Sequence, residues 1–453
     1  MRVLWWREAN MTAYYLLLRG WMHFGHSQFF IRALSVFFSA ITIPVVYWLG
    51  TMLYERRIAL VAAALFAANA FSVRYAQEAR SYALFGLLAA LSSGCLVAWL
   101  RAPQRRWRVA YVLLAVFAVY SHLYALLLLV VHWMAVRLIQ APPAYHHEFS
   151  AMRRAWKIIA LAVAPLLIFV AKTGAGPIRW IHRPTLRDLG IFYEHISGST
   201  SWLLPVLLAT TCLAAALPYR KTLLHLGQKW ETWRVQFLLL WFFFPILTTA
   251  LLSLARPVFL SRYMIFCLPA LVLLAAAGLA RLRSACLIAP VAGLLLLLEV
   301  QGVFWVYAHD FDDQRDGSAA ATSFILDHHH PDDGIVFHIA EARVPYEFFR
   351  SERARADTTK AEFAAQLGPE ILFPHTGAGL VFSDFKARLT PELLRTLIAG
   401  PPRVWVFLIY NGNGTPDSTT TLLTRTLPES FARVETWRFP KIEVQLYSKD
   451  NGK

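Results

Sequence analysis

Long apolar runs separated by short charged breaks are the feature that most restricts the fold of this chain. Residues 58–73 and 82–100 are two such runs, and hydrophobic residues make up 57% of the sequence, with a mean hydropathy of +0.46. The interior of one soluble domain cannot accommodate this much apolar sequence. Because a helix satisfies its own backbone hydrogen bonds in lipid, we predict a polytopic α-helical membrane protein.

The apolar runs predict about ten transmembrane helices. They lie near residues 31–53, 58–73, 81–100, 108–120, 122–139, 156–172, 201–217, 235–254, 262–280 and 284–306. Residues 109–136 carry no charge, and one helix of that length would exceed the thickness of a bilayer. We therefore divide this run at Tyr120-Ser121-His122.

The distribution of charged residues along the chain indicates two domains. Residues 307–453 contain 16 Lys+Arg and 20 Asp+Glu, whereas residues 1–306 contain 28 and 8, so the whole net charge of +16 comes from the apolar part. We predict a membrane domain at 1–306 and a soluble α/β domain at 307–453. The cations lie in short loops between apolar runs, which is typical of orientation signals and argues against nucleic acid as a partner.

Alternate loops differ strongly in positive charge, which predicts the orientation in the membrane. One set of loops contains sixteen cations: Arg56, Arg57, Arg101, Arg105, Arg106, Arg108, Arg137, Arg153, Arg154, Lys157, Arg220, Lys221, Lys229, Arg234, Arg281 and Arg283. The opposite loops are poorer in cations, and the positive-inside rule places them outside. The turn at residues 74–82, the loop at 173–201 and the C-terminal domain are therefore predicted to be exoplasmic, in a protein of the cytoplasmic (inner) membrane.

The first thirty residues must then also lie outside, although residues 1–10 contain no signal-peptide core. We therefore expect a further span upstream. Residues 10–24 have the pattern of an amphipathic helix, so residues 1–30 are predicted to form an interfacial segment. A short first helix buried in the bundle is an equal alternative.

The C-terminal domain alternates helical and extended patterns. Helices are predicted at 318–327, 341–349 and 391–398, and strands at 335–339, 380–385, 404–409 and 442–447. The run His328-His329-His330 is interpreted as a solvated helix end, because adjacent side chains diverge and cannot ligate one metal ion. The four cysteines fall within predicted spans, with no metal-binding spacing.

Four short blocks resemble one family of membrane enzymes. They are EANMTAYYLLLR at 8–19, FIRALS at 30–35, YAQEARSY at 75–82 and RPVFLSRY at 256–263. In this order they are similar to the bacterial GT-C glycosyltransferases related to dolichyl-phosphate-mannose protein mannosyltransferases and lipid A aminoarabinose transferases. The resemblance covers most of residues 8–306.

This resemblance implies a glycosyltransferase of the cell envelope that takes a sugar from a polyprenyl-phosphate donor. The acceptor would be a lipid, glycan or protein on the outer face of the membrane. In the family, a first span and a loop with a catalytic Asp precede the block matched by residues 8–19. The resemblance leaves open whether a divalent metal ion takes part, and no metal ligands are predicted.

Transfer from a lipid-linked phosphate requires a carboxylate to act on the acceptor and cations to bind the departing phosphate. Glu78 and Glu8 are the predicted catalytic residues, because each lies in a matched block on the predicted outer face. Asp188, Glu194 and Glu299 are the other carboxylates there. The structural alternative for Glu78 is an ion pair with Arg74 or Arg80.

Arginines on the predicted outer face are the second signal, because orientation bias places cations on the other face. A guanidinium can bind phosphate through two hydrogen bonds while its stem stays in apolar surroundings. The predicted substrate-binding residues are Arg74, Arg80, Tyr82, Arg256, Arg262, Tyr263, Trp180 and His182.

Two other classes of function remain open. A secondary transporter or lipid flippase would also have many spans, but the sequence shows no inverted repeat, no paired broken helices and no ionisable residue at a span centre. A non-catalytic scaffold or receptor is the other alternative, which an upstream span followed by Asp-Glu would disfavour.

Overall fold

The computed structural model describes residues 12–139, 146–173, 183–199, 201–222, 229–282, 285–310, 317–356, 367–374, 387–409 and 418–449. The chain divides into two compact units, Met1–Val306 and Tyr307–Lys453. The described residues of the first unit are helical apart from their connections, and the β-sheet belongs to the second unit.

Thirteen α-helices form the described part of the first unit. They are α1 Thr12–Trp21, α2 Gln28–Leu53, α3 Arg56–Ala68, α4 Ala70–Ala76, α5 Tyr82–Arg101, α6 Arg105–Ser121, α7 Ala125–Leu138, α8 His146–Thr173, α9 Leu186–Ile196, α10 Leu203–Ala216, α11 Trp230–Ala255, α12 Leu268–Leu279 and α13 Ala285–Trp305. Two 3-10 segments, Leu217–Tyr219 and Ser261–Cys267, follow α10 and precede α12, and a π-helical turn, Val306–Asp310, follows α13.

The chain is a multi-pass membrane protein. Six helical segments within the described residues are long and apolar enough to cross a bilayer: Gln28–Leu53, Tyr82–Arg101, Ser150–Lys172, Trp230–Ala255, Ser261–Leu279 and Leu287–Ala308. The pair α3 and α4, bent by 56° at Asn69, is a seventh if it counts as one span. Each of the ten predicted spans coincides with a helix or a helix pair, including the break after Ser121, but the count of ten stays a prediction.

Two segments are surrounded by the others. The span windows within α5 and within Ser261–Leu279 are 89% and 94% buried, whereas those of α8 and α13 are 22% and 17% buried. The peripheral helices expose large aliphatic side chains such as Leu161 and Leu297, which suits contact with lipid. The centre of the bundle is therefore packed protein, and its periphery is apolar.

Residues 12–21 form helix α1, and the two alternatives for the start of the chain, an interfacial segment or a short buried helix, stay predictions. Helix α1 buries Ala13, Tyr14 and Leu18 against the bundle, while Leu16 and Leu17 are exposed. The Tyr14 hydroxyl lies 2.8 Å from Ser35 Oγ on α2. This helix is amphipathic, and its polar contact fixes it to the bundle.

The second unit contains a five-stranded sheet in the order β2-β1-β3-β5-β4. Its described elements are α14 Ser318–His328, β1 Gly334–Phe337, α15 Ala340–Ala356, β2 Glu370–Phe373, α16 Pro391–Ile398, β3 Arg403–Ile409, α17 Ser418–Thr426, a 3-10 turn Leu427–Glu429, β4 Arg433–Phe439 and β5 Ile442–Ser448. Strand β1 is parallel to β2 and β3, and β5 is antiparallel to β3 and β4. The predicted strand at 380–385 lies outside the described residues.

A buried carboxylate, Asp333, lies directly before β1 and bonds to the neighbouring inner strand β3. Asp333 accepts hydrogen bonds from Arg403 at 2.6 and 2.8 Å, from Trp405 Nε1 at 2.8 Å and from the His330 amide at 2.9 Å. Burial raises the pKa of the Asp333 carboxyl, but these hydrogen bonds outweigh burial and leave that pKa below its usual value. Asp333 is therefore an ionised structural residue.

Candidate functional site

A broken helix positions the predicted site. At the break between α3 and α4, Asn69 caps α4, with its Oδ1 accepting from the Ser72 amide at 3.1 Å. Helix α4 then runs only to Ala76, and a turn leads into α5. Arg74 lies in the last turn of α4, and Glu78 and Arg80 lie in the connecting turn.

Three tyrosines from different elements meet beside this turn. The ring centroids of Tyr75 and Tyr82 are 5.5 Å apart, and those of Tyr82 and Tyr263 are 6.2 Å apart. Tyr263 lies in the 3-10 segment before α12, which places residues far apart in the sequence next to α4 and α5. Aromatic rings packed in this way provide an apolar surface of defined geometry beside the neighbouring polar groups.

Three guanidinium groups surround these rings. Arg74 lies 5.7 Å from the Tyr75 centroid, Arg262 lies 5.9 Å from the Tyr263 centroid, and Arg80 Nη1 donates to the Tyr82 hydroxyl at 3.5 Å. Arg74 and Arg262 are both within electrostatic range of Tyr75. We call Arg74, Tyr75, Glu78, Arg80, Tyr82, Arg262 and Tyr263 the arginine–tyrosine cluster.

Glu78 brings a carboxylate to the cluster. It is half-buried, and its backbone carbonyl accepts from the Arg80 amide at 2.7 Å. Within the described part of the chain its carboxylate has no ion-pair partner inside 4.0 Å, with Arg74 and Arg80 included. The catalytic role of Glu78 stays a prediction.

The tyrosines of the cluster differ from the arginines in exposure. Tyr82 and Tyr263 are 1% and 9% exposed, whereas Arg74 and Arg262 are half-buried and Arg80 is exposed. A bound molecule could therefore reach the guanidiniums far more easily than the tyrosine side chains. This difference in exposure suits a structural role for the tyrosines, which would hold the arginine side chains in position.

A histidine that sequence reasoning did not select lies directly against the cluster. His122 is fully buried, with its ring 4.7 Å from Tyr263 and stacked 4.9 Å from Phe85. Its Nδ1 accepts from the Tyr124 amide at 3.3 Å, and its Nε2 has no hydrogen-bond partner in the described residues. The only sequence signal was its place at the break of a long uncharged run.

A buried acid stabilises the break that precedes Arg74. Glu299 on α13 is fully buried and accepts from Asn69 Nδ2 at 3.3 Å, and the same amide donates to the Ile196 carbonyl at 3.2 Å. Gly198, at φ +75°, passes so close that a Cβ there would lie 2.1 Å from Glu299 Oε2. The α4 start, α13 and the end of α9 thus meet at one junction.

This junction corrects one premise of the sequence analysis, which found no ionisable residue deep within a span. Glu299 is buried among helices, and His132 on α7 is also fully buried, 3.0 Å from Ser93 Oγ and 3.3 Å from the Tyr111 hydroxyl. The sequence analysis named Glu299 as a carboxylate of the outer face but did not predict its burial, and it did not select His132, which lies in an otherwise apolar run. In each case nearby polar side chains offset the cost of burial.

Of the other predicted site residues, the structure describes only Arg256. Arg256 is exposed at the end of α11, and no described contact joins it to the cluster. Glu8, Trp180 and His182 lie outside the described residues. Asp188 forms a capping box with Thr185 at the start of α9, which is a structural role.

A metal site does not emerge from the described residues, where no three His, Cys, Asp or Glu side chains are close enough to hold an ion. In the second unit, His328 and His329 end α14, and their Nδ1 atoms lie within hydrogen-bond distance of the Phe324 and Leu326 carbonyls.

Comparison with solved structures finds the same architecture in ArnT, a lipid A aminoarabinose transferase from Cupriavidus metallidurans. Apo ArnT matches with a TM-score of 0.61 at 10% sequence identity, over 97% of this chain and 87% of ArnT. The chain has the ArnT fold. ArnT bound to undecaprenyl phosphate matches with a TM-score of 0.53 at 13% identity, over 94% and 85% of the two chains.

Neither a scan against protein-family models nor a search of curated proteins gives a match. The ArnT fold nevertheless confirms the GT-C fold predicted from the sequence. Identity this low establishes a common fold only, because one fold supports many activities and function depends on the site.

Proposed function

We propose that the chain is a GT-C-type glycosyltransferase of the cytoplasmic membrane. It would transfer a sugar from a polyprenyl-phosphate donor to a lipid, glycan or protein acceptor. The observation that carries this proposal is the arginine–tyrosine cluster, in which three guanidiniums and the Glu78 carboxylate lie together in a bundle with the ArnT fold. One ArnT structure contains undecaprenyl phosphate, which supports a polyprenyl-phosphate partner.

In this proposal Arg74, Arg80 and Arg262 bind the phosphate of the donor. A guanidinium keeps its charge at any physiological pH and presents planar donors that match phosphate oxygens. The negative charge of the phosphate grows as its bond to the sugar breaks, and fixed cations at that position stabilise the leaving group. The packed rings of Tyr75, Tyr82 and Tyr263 hold the cations in place.

Glu78 then acts on the acceptor. An acceptor hydroxyl attacks the anomeric carbon, its proton passes to the Glu78 carboxylate, and the carbon–oxygen bond to phosphate breaks. The products are the glycosylated acceptor and the polyprenyl phosphate. Glu8, Trp180 and His182 stay in the proposal as catalytic or acceptor-binding residues from the sequence pattern alone.

The charge bias of the loops supports an exoplasmic position for the cluster. The cation-poor loops contain Arg74, Arg80 and Arg262, and the C-terminal unit follows α13 on the same predicted side. A lipid-linked donor suits this side because nucleotide sugars are cytoplasmic. We accordingly place the C-terminal α/β unit outside the membrane.

Two features of the bundle favour a transporter or flippase as a second candidate. The bend at Asn69 and the buried acid Glu299 resemble the broken helices and buried ionisable groups of transporters. A transporter would move a polyprenyl-linked sugar without forming a new glycosidic bond. Product analysis therefore separates the two functions, and a scaffold would show neither activity.

The test uses membranes that contain the full chain, with undecaprenyl phosphate carrying radiolabelled mannose, glucose or aminoarabinose. Wild-type protein should move label into a lipid, glycan or protein fraction, and Glu78→Gln should lower the rate at least 100-fold, within the range for loss of a general base. Glu194→Gln is the matched control, because Glu194 is half-buried on the same predicted face and lies outside the cluster. Full activity of the Glu78 variant would refute its catalytic role.

Binding of undecaprenyl phosphate alone tests the cations separately. Arg262→Ala should weaken binding by about tenfold to 100-fold, since a hydrogen bond to a charged group contributes about 1.5–3 kcal/mol. Arg187→Ala is the control, because Arg187 is exposed on the same predicted face and has no described contact with the cluster. Equal losses of binding and thermal stability in the Arg262 variant would indicate a structural residue.

A further inference from the structure

A polar cavity lies far from the arginine–tyrosine cluster. Its volume is about 340 Å³, and its polar lining residues are Tyr54, Glu55, Arg234 and Arg281. They lie at the end of α2, the start of α3, the first turns of α11 and just after α12. We call this cavity the basal pocket.

The length of helix α2 gives the separation between the basal pocket and the arginine–tyrosine cluster. Ser35 near its start lies 3.5 Å from the Arg80 carbonyl, and Tyr54 follows its last residue. At 1.5 Å per residue these two positions are about 28 Å apart along the helix. This distance is close to the roughly 30 Å hydrocarbon core of a bilayer, so the basal pocket lies at the opposite end of the bundle.

Two arginines and one carboxylate, Glu55, line the basal pocket. Arg234 donates from Nη1 to the Leu53 carbonyl at 2.9 Å, and Arg281 donates from Nη2 to the Tyr219 hydroxyl at 2.6 Å. Neither guanidinium has an ion-pair partner within 4.0 Å among the residues that the structure describes. Glu55 is exposed and forms no ion pair in that same part of the chain.

Two buried polar atoms at the pocket also lack partners in the described residues. They are the Tyr54 hydroxyl and Arg234 Nε, and the Arg234 guanidinium lies 4.4 Å from the Tyr54 ring centroid. Buried polar groups are almost always hydrogen-bonded, so two such atoms beside one cavity indicate a ligand that supplies an acceptor. Hydroxyl and guanidinium groups together suit an oxyanion.

The remaining walls of the basal pocket are apolar. They are formed by Ile58, Ala215, Val235, Ala277 and Ala280. A cavity lined by two guanidiniums and by small aliphatic residues can accept a charged group attached to an apolar portion. Basic pockets between transmembrane helices on the cytoplasmic side are suited to anionic lipid headgroups.

We propose that the basal pocket is a phosphate-binding site, in which Arg234, Arg281 and Tyr54 bind the oxygens of a phosphate ester. The cation-rich loops place it on the predicted cytoplasmic face, so the phosphate would belong to an anionic lipid of the inner leaflet or to a soluble phosphate. The proposal does not depend on sugar transfer, because the pocket and the cluster share no residue.

The experiment measures binding to the full chain in a neutral detergent, by the rise in melting temperature with added ligand. Three probes are used: dihexanoyl phosphatidylglycerol, dihexanoyl phosphatidylcholine and inorganic phosphate. Wild-type protein should bind the anionic lipid, and Arg281→Gln should weaken binding at least tenfold. Arg281 is exposed, so this variant should fold normally.

Arg234→Lys and Tyr54→Phe test the buried side of the pocket, and both should also weaken binding. Arg57→Gln is the matched control, because Arg57 is exposed at the same end of the bundle and does not line the pocket. Binding of the anionic lipid alone identifies a headgroup site, and binding of inorganic phosphate identifies a site for soluble anions. Binding of neither anion, or binding that Arg281→Gln leaves unchanged, would overturn the proposal.

Discussion

Replacing Gly302 by alanine should open the junction that positions α4. A Cβ at Gly302 would lie 1.9 Å from the Gly198 carbonyl oxygen, whereas ordinary van der Waals contacts begin near 3.4 Å. The chain at Gly198 would therefore have to move by about 1.5 Å. Because the obstacle is a backbone carbonyl, no side-chain rotation can relieve the contact.

The size of the effect follows from what this movement would break. The hydrogen bonds from Asn69 Nδ2 to the Ile196 carbonyl and to Glu299 are 3.2 and 3.3 Å long, so a shift of that size would disrupt both. Overpacking costs about 1–3 kcal/mol, and each lost hydrogen bond costs about 1 kcal/mol. The helix-forming tendency of alanine recovers up to about 1 kcal/mol. We expect a net destabilisation of about 2–4 kcal/mol.

Gly293→Ala is the matched comparison, because Gly293 lies on the same helix with no atom within 4 Å of its built Cβ. That variant should gain up to about 1 kcal/mol from helix propensity alone. Thermal unfolding of both purified variants, followed by tryptophan fluorescence at one scan rate, measures the difference. If Gly302→Ala proved as stable as Gly293→Ala, the close packing at the junction would be refuted.

Two further predictions concern single polar contacts. Asp333→Asn should destabilise the C-terminal unit by about 2–3 kcal/mol, since it removes the charge paired with Arg403. The pKa of the Asp333 carboxyl is lower in the folded protein than in the unfolded chain. Ionised Asp333 therefore stabilises the unit fully above about pH 4, and this stabilisation is lost as the pH falls through the pKa of the folded state. The free energies of unfolding of wild type and variant should accordingly converge at low pH. Tyr14→Phe should cost about 1 kcal/mol through loss of the bond to Ser35, whereas Tyr47→Phe, whose hydroxyl has no bond in the described residues, should be neutral in the same melting assay.

The helices of the membrane unit could be predicted because charged breaks punctuate its apolar runs. The break inside residues 58–73 could not, since Asn69 is its only local signal and the bend depends on contacts with Ile196 and Glu299. In the second unit, strands β2 and β4 were missed. The first has four residues. The second does not alternate regularly between apolar and polar residues, since Val434 is exposed and Glu435 is half-buried on the face of Trp437.

In the arginine–tyrosine cluster, too, the sequence predicted some features and not others. Charge in a turn between apolar runs selected Arg74, Glu78 and Arg80, and a similar break selected Arg262. Pattern alone could not show that Tyr263 packs against Tyr82, because tertiary packing of the 3-10 segment before α12 sets that contact. His122 was overlooked because a lone histidine in an apolar run carries no signal of its neighbours.

Near-complete enclosure of α5 and the Ser261–Leu279 segment keeps Tyr82 and Tyr263 away from the periphery of the bundle. Tyr82 and Tyr263 both belong to these two segments, while α8 and α13 form much of the surface that meets acyl chains. Hydrophobic mismatch in thinner or thicker vesicles would be absorbed first by tilting of the peripheral helices. The geometry around these two tyrosines should therefore tolerate membranes of quite different composition.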